Sequence, residues 1–115
     1  MKKMILLAGA TLALLASPAT AARTARCVIQ SEGEATWRGP CRFFPDGRGG
    51  SFAVAPVRGS FGDGIDLISV SVISPGVAEV RGNTSDGINS RWGEARRSRR
   101  DPACWVGEDF SVCAY

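Results

Sequence analysis

Beyond an apolar opening run, the hydrophobic positions of this chain come in stretches of four to nine residues rich in Val, Ile, Phe and Trp. Clusters of Gly, Pro, Asp and Ser separate them, and no segment sustains helical periodicity. Short β-branched and aromatic runs bounded by turn residues read as strands. Strands are expected near 26–31, 34–38, 41–45, 51–55, 65–73, 77–82, 88–95, 103–107 and 110–114. The longest, Ile65 to Ile73, alternates Val70 and Val72 with Ser69 and Ser71, one set inward and the other outward. Ile65 and Leu67 fall on the opposite parity, which predicts a bulge near Ile68 or burial of both faces. Pro45-Asp46-Gly47 with Gly49-Gly50, and Ser74-Pro75-Gly76, have the chemistry of turns, with Gly where positive φ is needed. The expectation is an all-β domain, a small antiparallel barrel or sandwich of short strands.

The C-terminal segment Arg91–Tyr115 reads as an arginine-rich loop followed by a hairpin. A two-residue turn at Glu108-Asp109 would set Val106 opposite Ser111, Trp105 opposite Val112 and Cys104 opposite Cys113. Directly opposed residues in a non-hydrogen-bonded antiparallel pair are close enough for a disulfide. Glu-Asp is a poor two-residue turn, so a three-residue turn that recruits Gly107 and shifts the register is the alternative. In the paired register Cys104, Val106, Ser111 and Cys113 share one face, and Trp105, Phe110 and Val112 the other. Both faces carry apolar groups, so neither can be assigned to solvent from the pattern alone.

The opening run has the form of a secretory signal over residues 1–21. Lys2 and Lys3 supply the positive start, Ile5 to Ala16 the apolar core, and Ala19-Thr20-Ala21 the small residues of a cleavage site. The apolar run is short for a bilayer span, no other stretch rivals it, and Arg26 before Cys27 does not suit a lipidation motif. The expected product is a single domain over 22–115, periplasmic or secreted, without a membrane span. Setting Lys2 and Lys3 aside leaves twelve arginines against eleven acids, which gives no support to nucleic-acid binding. A domain this small often needs covalent help, and four cysteines in an exported chain supply it. Three pairings are possible. Cys27–Cys41 with Cys104–Cys113 is favoured because both are local, and Cys27–Cys113 with Cys41–Cys104 is the main rival. With no C-x-x-C pair and no histidine, a structural zinc site is not expected.

Gly39-Pro40-Cys41, Phe44-Pro45-Asp46-Gly47 and Gly50-Ser51-Phe52, with Asp101-Pro102-Ala103-Cys104-Trp105 and Val112-Cys113-Ala114 near the end, form two recurrent-looking motif sets. They resemble the G-P-C…D-G…G-S-F and D-x-A-C-W…V-C-A motifs of a group of small exported bacterial β-domain proteins of unknown function. The resemblance covers both ends of the domain and little of its middle. It implies an exported β domain with Cys41 and Cys104 in a common framework, and it carries over no functional residue. In size, compartment and expected fold the chain is also similar to small periplasmic lysozyme inhibitors. Those insert a Ser-Gly-x-x-Tyr type loop into the enzyme cleft, of which Ser85-Asp86-Gly87 is only a faint echo, since Ile88 follows and the tyrosine is missing.

Without histidine, and without lysine past the leader, triads, Cys-His dyads and Schiff bases are excluded. Carboxylates are what remain for proton work. Asp63 and Asp66 in the Gly62–Asp66 stretch are three apart, and Glu108 adjoins Asp109, but acids in turns are common on any soluble protein. The Gly62–Asp66 stretch lacks the further ligands a calcium loop needs. No catalytic residue, metal or cofactor is expected. Arg91, Arg96, Arg97, Arg99 and Arg100, with Trp92 among them, make the better candidate, because arginine and tryptophan dominate binding hot spots and guanidinium suits carboxylate, phosphate and sulfate. The alternative for that segment is a solvated loop whose arginines pair with Glu94, Asp101 or Glu108. The expected function is therefore an exported non-enzymatic binding module for a protein or an anionic envelope component, for example a hydrolase inhibitor. A structural envelope protein, or a small carboxylate-dependent hydrolase, is the alternative.

Overall fold

The computed structural model describes residues 22–47 and 49–115, so the leader expected at 1–21 lies outside the described residues. The described chain is all β. Eight antiparallel strands follow one another around a closed barrel: β1 Arg23–Ser31, β2 Trp37–Pro45, β3 Phe52–Pro56, β4 Ile65–Ser74, β5 Val77–Thr84, β6 Asn89–Arg97, β7 Cys104–Gly107 and β8 Phe110–Ala114. The ring closes where β8 pairs with β1, from Cys27 opposite Ala114 to Ser31 opposite Phe110. Closure decides between barrel and sandwich and removes the free sheet edges that invite aggregation.

There are eight strands rather than the nine expected, because 34–38 and 41–45 belong to one strand, β2. Gly39-Pro40 reads as a break, yet the barrel accommodates it. Arg26 exchanges both backbone hydrogen bonds with Tyr115 and so turns none toward Pro40, its neighbour on β2. The missing N–H of Pro40 points instead toward the β3 side, at the last position of that ladder, where Pro40 O still accepts from Val57 N at 3.3 Å and only the return bond to Val57 is absent. Proline costs a single terminal bond there, which a strand end tolerates.

Alternation along the strands sends Cys27, Ile29, Val54, Ile68, Val70, Val80 and Val112 inward, all essentially buried. Charged and polar residues such as Arg26, Arg42, Ser71 and Arg96 face out. An apolar lining with a polar wall reverses the pattern of a barrel sitting in lipid. The irregularity expected near Ile68 falls at Asp66, between Ile65 and Leu67, which lets Ile65 pack against the core. Another bulge inserts Trp92 into β6, between Arg91 opposite Arg81 and Gly93 opposite Val80. The turn at Pro75-Gly76 forms as expected, with Gly76 at φ 75°.

The disulfides are Cys27–Cys41 and Cys104–Cys113. The first lies inside the barrel, diagonally across β1 and β2, with both residues fully buried. The second lies on the outer wall in the register the two-residue turn requires, with Ala114 N bonded to Ala103 O beside it. Trp105, Phe110 and Val112 take the inner face of that hairpin. Cys113 stands opposite Val28, one residue along from Cys27, so the two thiols face opposite sides of the wall and the rival pairing is excluded. Two intramolecular disulfides fit an oxidising compartment.

Candidate functional site

In an up-and-down barrel alternate connections emerge at the same end, and here that sorts charge. Connections 32–36, 57–64, 85–88 and 108–109 share one end and carry Glu32, Glu34, Asp63, Asp86, Glu108 and Asp109 against a single arginine, Arg58. The opposite end gathers Arg23 and Arg97 from strand termini with Arg99 and Arg100 from the 98–103 connection, against Asp46 and Asp101. The nearly neutral domain is thus strongly dipolar, with one acidic and one basic mouth.

The basic mouth contains a cavity of about 260 Å³ lined by Arg23, Phe43, Phe52, Arg97, Trp105 and Ala114, with no carboxylate on its walls. Each guanidinium rests near an aromatic face: Arg23 lies 4.3 Å from the centre of the Phe43 ring, and Arg97 lies 5.7 Å from that of Trp105. Phe43 in turn stacks on Phe52 with centroids 4.9 Å apart. Cation–π contact of this kind steadies an arginine without consuming its charge. Arg97 Nε donates to Pro102 O at 2.8 Å, and its backbone N–H donates to Gly76 O.

The connection carrying Arg99 and Arg100 is built rather than loose. Ser98 Oγ accepts from both Arg100 N and Asp101 N at 3.1 Å, and Asp101 Oδ1 accepts from Ala103 N at 3.2 Å. Ser98 N donates to Cys104 O, and Cys104 N to Asp101 O. Tyr115 Oη donates to Asp101 Oδ2, which ties the acid of this connection to the C-terminal strand. That hydrogen bond is the leading reason the Tyr115 hydroxyl titrates above its usual value; desolvation and the Asp101 charge add to it, while Arg26 and Arg38 pull the other way.

The six residues singled out from sequence do not form one loop. Arg91, Trp92, Arg96 and Arg97 belong to β6, and only Arg99 and Arg100 lie in a connection. Arg91 pairs with Glu79 at 2.6 Å, and Arg96 approaches Glu94 at 3.6 Å. Among the described residues, Arg97, Arg99 and Arg100 have no carboxylate within ion-pair distance, so the pairing with Glu94, Asp101 or Glu108 that belongs to the solvated-loop alternative is not formed by them. Trp92 is half-buried and points into the acidic mouth, against Phe110. Arg23 is the member that sequence reasoning missed. The signal that finds it is topological: the start of β1 and the β6–β7 connection, far apart in sequence, reach the same end only once the closed meander is known.

The acidic mouth is aromatic within. A cavity of about 330 Å³ is lined by Ile29, Trp37, Phe61 and Trp92, with Glu34 and Asp63 at its opening. Trp37 meets Phe61 edge-to-face, centroids 4.7 Å apart. Asp66 does not line this cavity, so the two aspartates singled out from sequence do not converge on it. Among the described residues no group of three or more acidic or sulfur ligands is placed to hold a metal. Comparison of the chain with protein-family models, with curated proteins and with solved structures finds no match.

Proposed function

We propose that this chain is an exported, non-enzymatic binding module of the periplasm or extracellular space. Its basic mouth holds a carboxylate, phosphate or sulfate group borne by an envelope polymer or a protein partner. The observation that carries this reading is the cavity between Arg23 and Arg97, walled by aromatics and free of carboxylate. Arg99 and Arg100 stand on the neighbouring hydrogen-bonded connection and extend the same positive surface. Guanidinium forks match planar and tetrahedral oxyanions in a bidentate way that a scattered positive charge does not. Inhibition of a hydrolase is one form such binding could take. The lack of histidine supports a non-enzymatic role, as do the separated positions of Asp63 and Asp66.

The test is retention of the oxidised domain on an immobilised sulfated polymer at low and at physiological salt. R97E/R99E/R100E should lose retention, whereas R58E/R81E/R91E, with the same change in net charge, should keep it. Equal loss in both variants would mean that only bulk charge matters and would overturn the reading.

A further inference from the structure

We propose that the acidic mouth is a second binding site, selective for a small organic cation bearing an alkylated ammonium group. It is distinct from the anion site and lies at the other end of the barrel.

The walls of this mouth are fixed by the backbone. A Cβ on Gly82 would stand 2.8 Å from Trp92 Nε1, and one on Gly39 would stand 3.2 Å from the far edge of the Trp37 ring. At Gly82 only glycine lets the Trp92 indole lie down on the strand, and at Gly39 any side chain would press on the Trp37 ring edge. The bulge in β6 supplies Trp92 as an additional residue, and Trp92 is braced by Phe110 at 5.5 Å. Phe61 is braced by Trp37 and by its own connection, in which Phe61 N donates to Ile65 O at 2.7 Å and Ile65 N to Gly62 O at 2.9 Å. The result is a preformed aromatic recess of about 330 Å³. That volume lies in the range of small-molecule sites, roughly 300–1,000 Å³.

Charge then selects the occupant. Glu34 and Asp63 line the recess, no arginine does, and the surrounding connections add four further carboxylates, Glu32, Asp86, Glu108 and Asp109. Aromatic faces attract alkylated ammonium, tryptophan most strongly, and a carboxylate rim concentrates cations at an apolar cleft. A hard metal ion would need converging oxygen ligands that the described residues do not provide. A neutral apolar molecule would gain nothing from the rim, and an anion would be repelled by it.

The test uses three probes of one shape: choline, its uncharged analogue 3,3-dimethylbutan-1-ol, and the anion 3,3-dimethylbutanoate. Each is titrated into the oxidised domain by calorimetry, with tryptophan emission followed in parallel. Choline should bind saturably, about tenfold or more tighter than the alcohol, with the anion weakest. E34Q/D63N, which changes two exposed side chains, should weaken choline about tenfold and leave the alcohol unchanged. R97E/R99E/R100E should leave choline binding intact, which separates this site from the basic mouth. The proposal is overturned if choline fails to saturate by about 10 mM, if choline and the alcohol bind equally, or if E34Q/D63N binds choline as tightly as the parent.

Discussion

Gly107, the last residue of β7, offers the sharpest test of how the barrel is packed. A Cβ built there would lie 2.1 Å from Phe110 Cε1 and 2.3 Å from Phe110 Cζ. Ordinary van der Waals contact begins near 3.4 Å, so in Gly107→Ala the ring must withdraw by more than an ångström. Phe110 is buried and already set edge-to-face against Trp92, so the ring can withdraw only by giving up that contact or by swinging toward the surface clefts that border it. Overpacking of this kind costs about 1–3 kcal/mol, and partial expulsion of the phenyl ring adds up to about 2 kcal/mol. A total near 3 kcal/mol is expected. Residues 22–115 number 94. At about 2.1 cal/mol/K per residue their unfolding entropy is near 0.2 kcal/mol/K, so Tm should fall by about 15 °C. Thermal unfolding of the oxidised protein by calorimetry measures this, with Ser71→Ala on the exposed wall as a control expected to shift little. A double-mutant cycle isolates the contact. In a Phe110→Ala background, Gly107→Ala should cost almost nothing, so the coupling should be close to the full 3 kcal/mol or so. A Tm within about 3 °C of the parent, or additive effects in the cycle, would refute the packing argument.

The two disulfides should differ in reactivity rather than in worth. Closing loops of their lengths stabilises each by about 2.5–3 kcal/mol on chain-entropy grounds, yet Cys27 and Cys41 are fully buried in the core, whereas Cys104 and Cys113 face the outer wall and keep 8% and 7% exposure. Under native conditions mild reductant followed by thiol alkylation and mass mapping should label Cys104 and Cys113 first; simultaneous labelling of all four would contradict the assignment of faces. Tyr115 is the only tyrosine, so absorbance near 295 nm reads its ionisation alone. It should titrate above its ordinary value of 10.0, and Asp101→Asn should bring it down. Its raised folded-state value means that its contribution to stability is complete below pH 10 and is lost as pH rises through the folded value. An unchanged titration in Asp101→Asn would remove the hydrogen bond as the cause.

Much of the architecture is legible in the residues because it depends on local rules. Counting inward from Cys104 and Cys113 gives the hairpin register, and the parity break in Ile65–Ile73 announces a bulge, though it falls at Asp66. What the pattern cannot decide is which hairpin face turns inward, because Trp105 and the Cys104–Cys113 bridge are both apolar. Closure of the ring decides it by turning Trp105 into the core and the bridge to the outer face, where Cys104 and Cys113 are 8% and 7% exposed. Gly39-Pro40 reads as a break because the fate of the proline nitrogen depends on where the neighbouring strand ends, which is not local. The arginine cluster is similarly only half visible. Arg97, Arg99 and Arg100 stand out by density, but the same density sweeps in Arg91 and Trp92, which β6 carries toward the other end. Arg23 and the acidic mouth stay hidden until alternate connections are seen to share an end.

The measurement that tests the anion-binding reading most directly is a titration of isotopically labelled, oxidised protein with inorganic pyrophosphate, followed through the arginine Nε–H resonances. Saturable shifts that weaken with added salt are expected at Arg23, Arg97, Arg99 and Arg100, while Arg58, Arg81 and Arg91 stay in place. Shifts spread evenly over all the arginines, or none at the basic mouth, would contradict that reading.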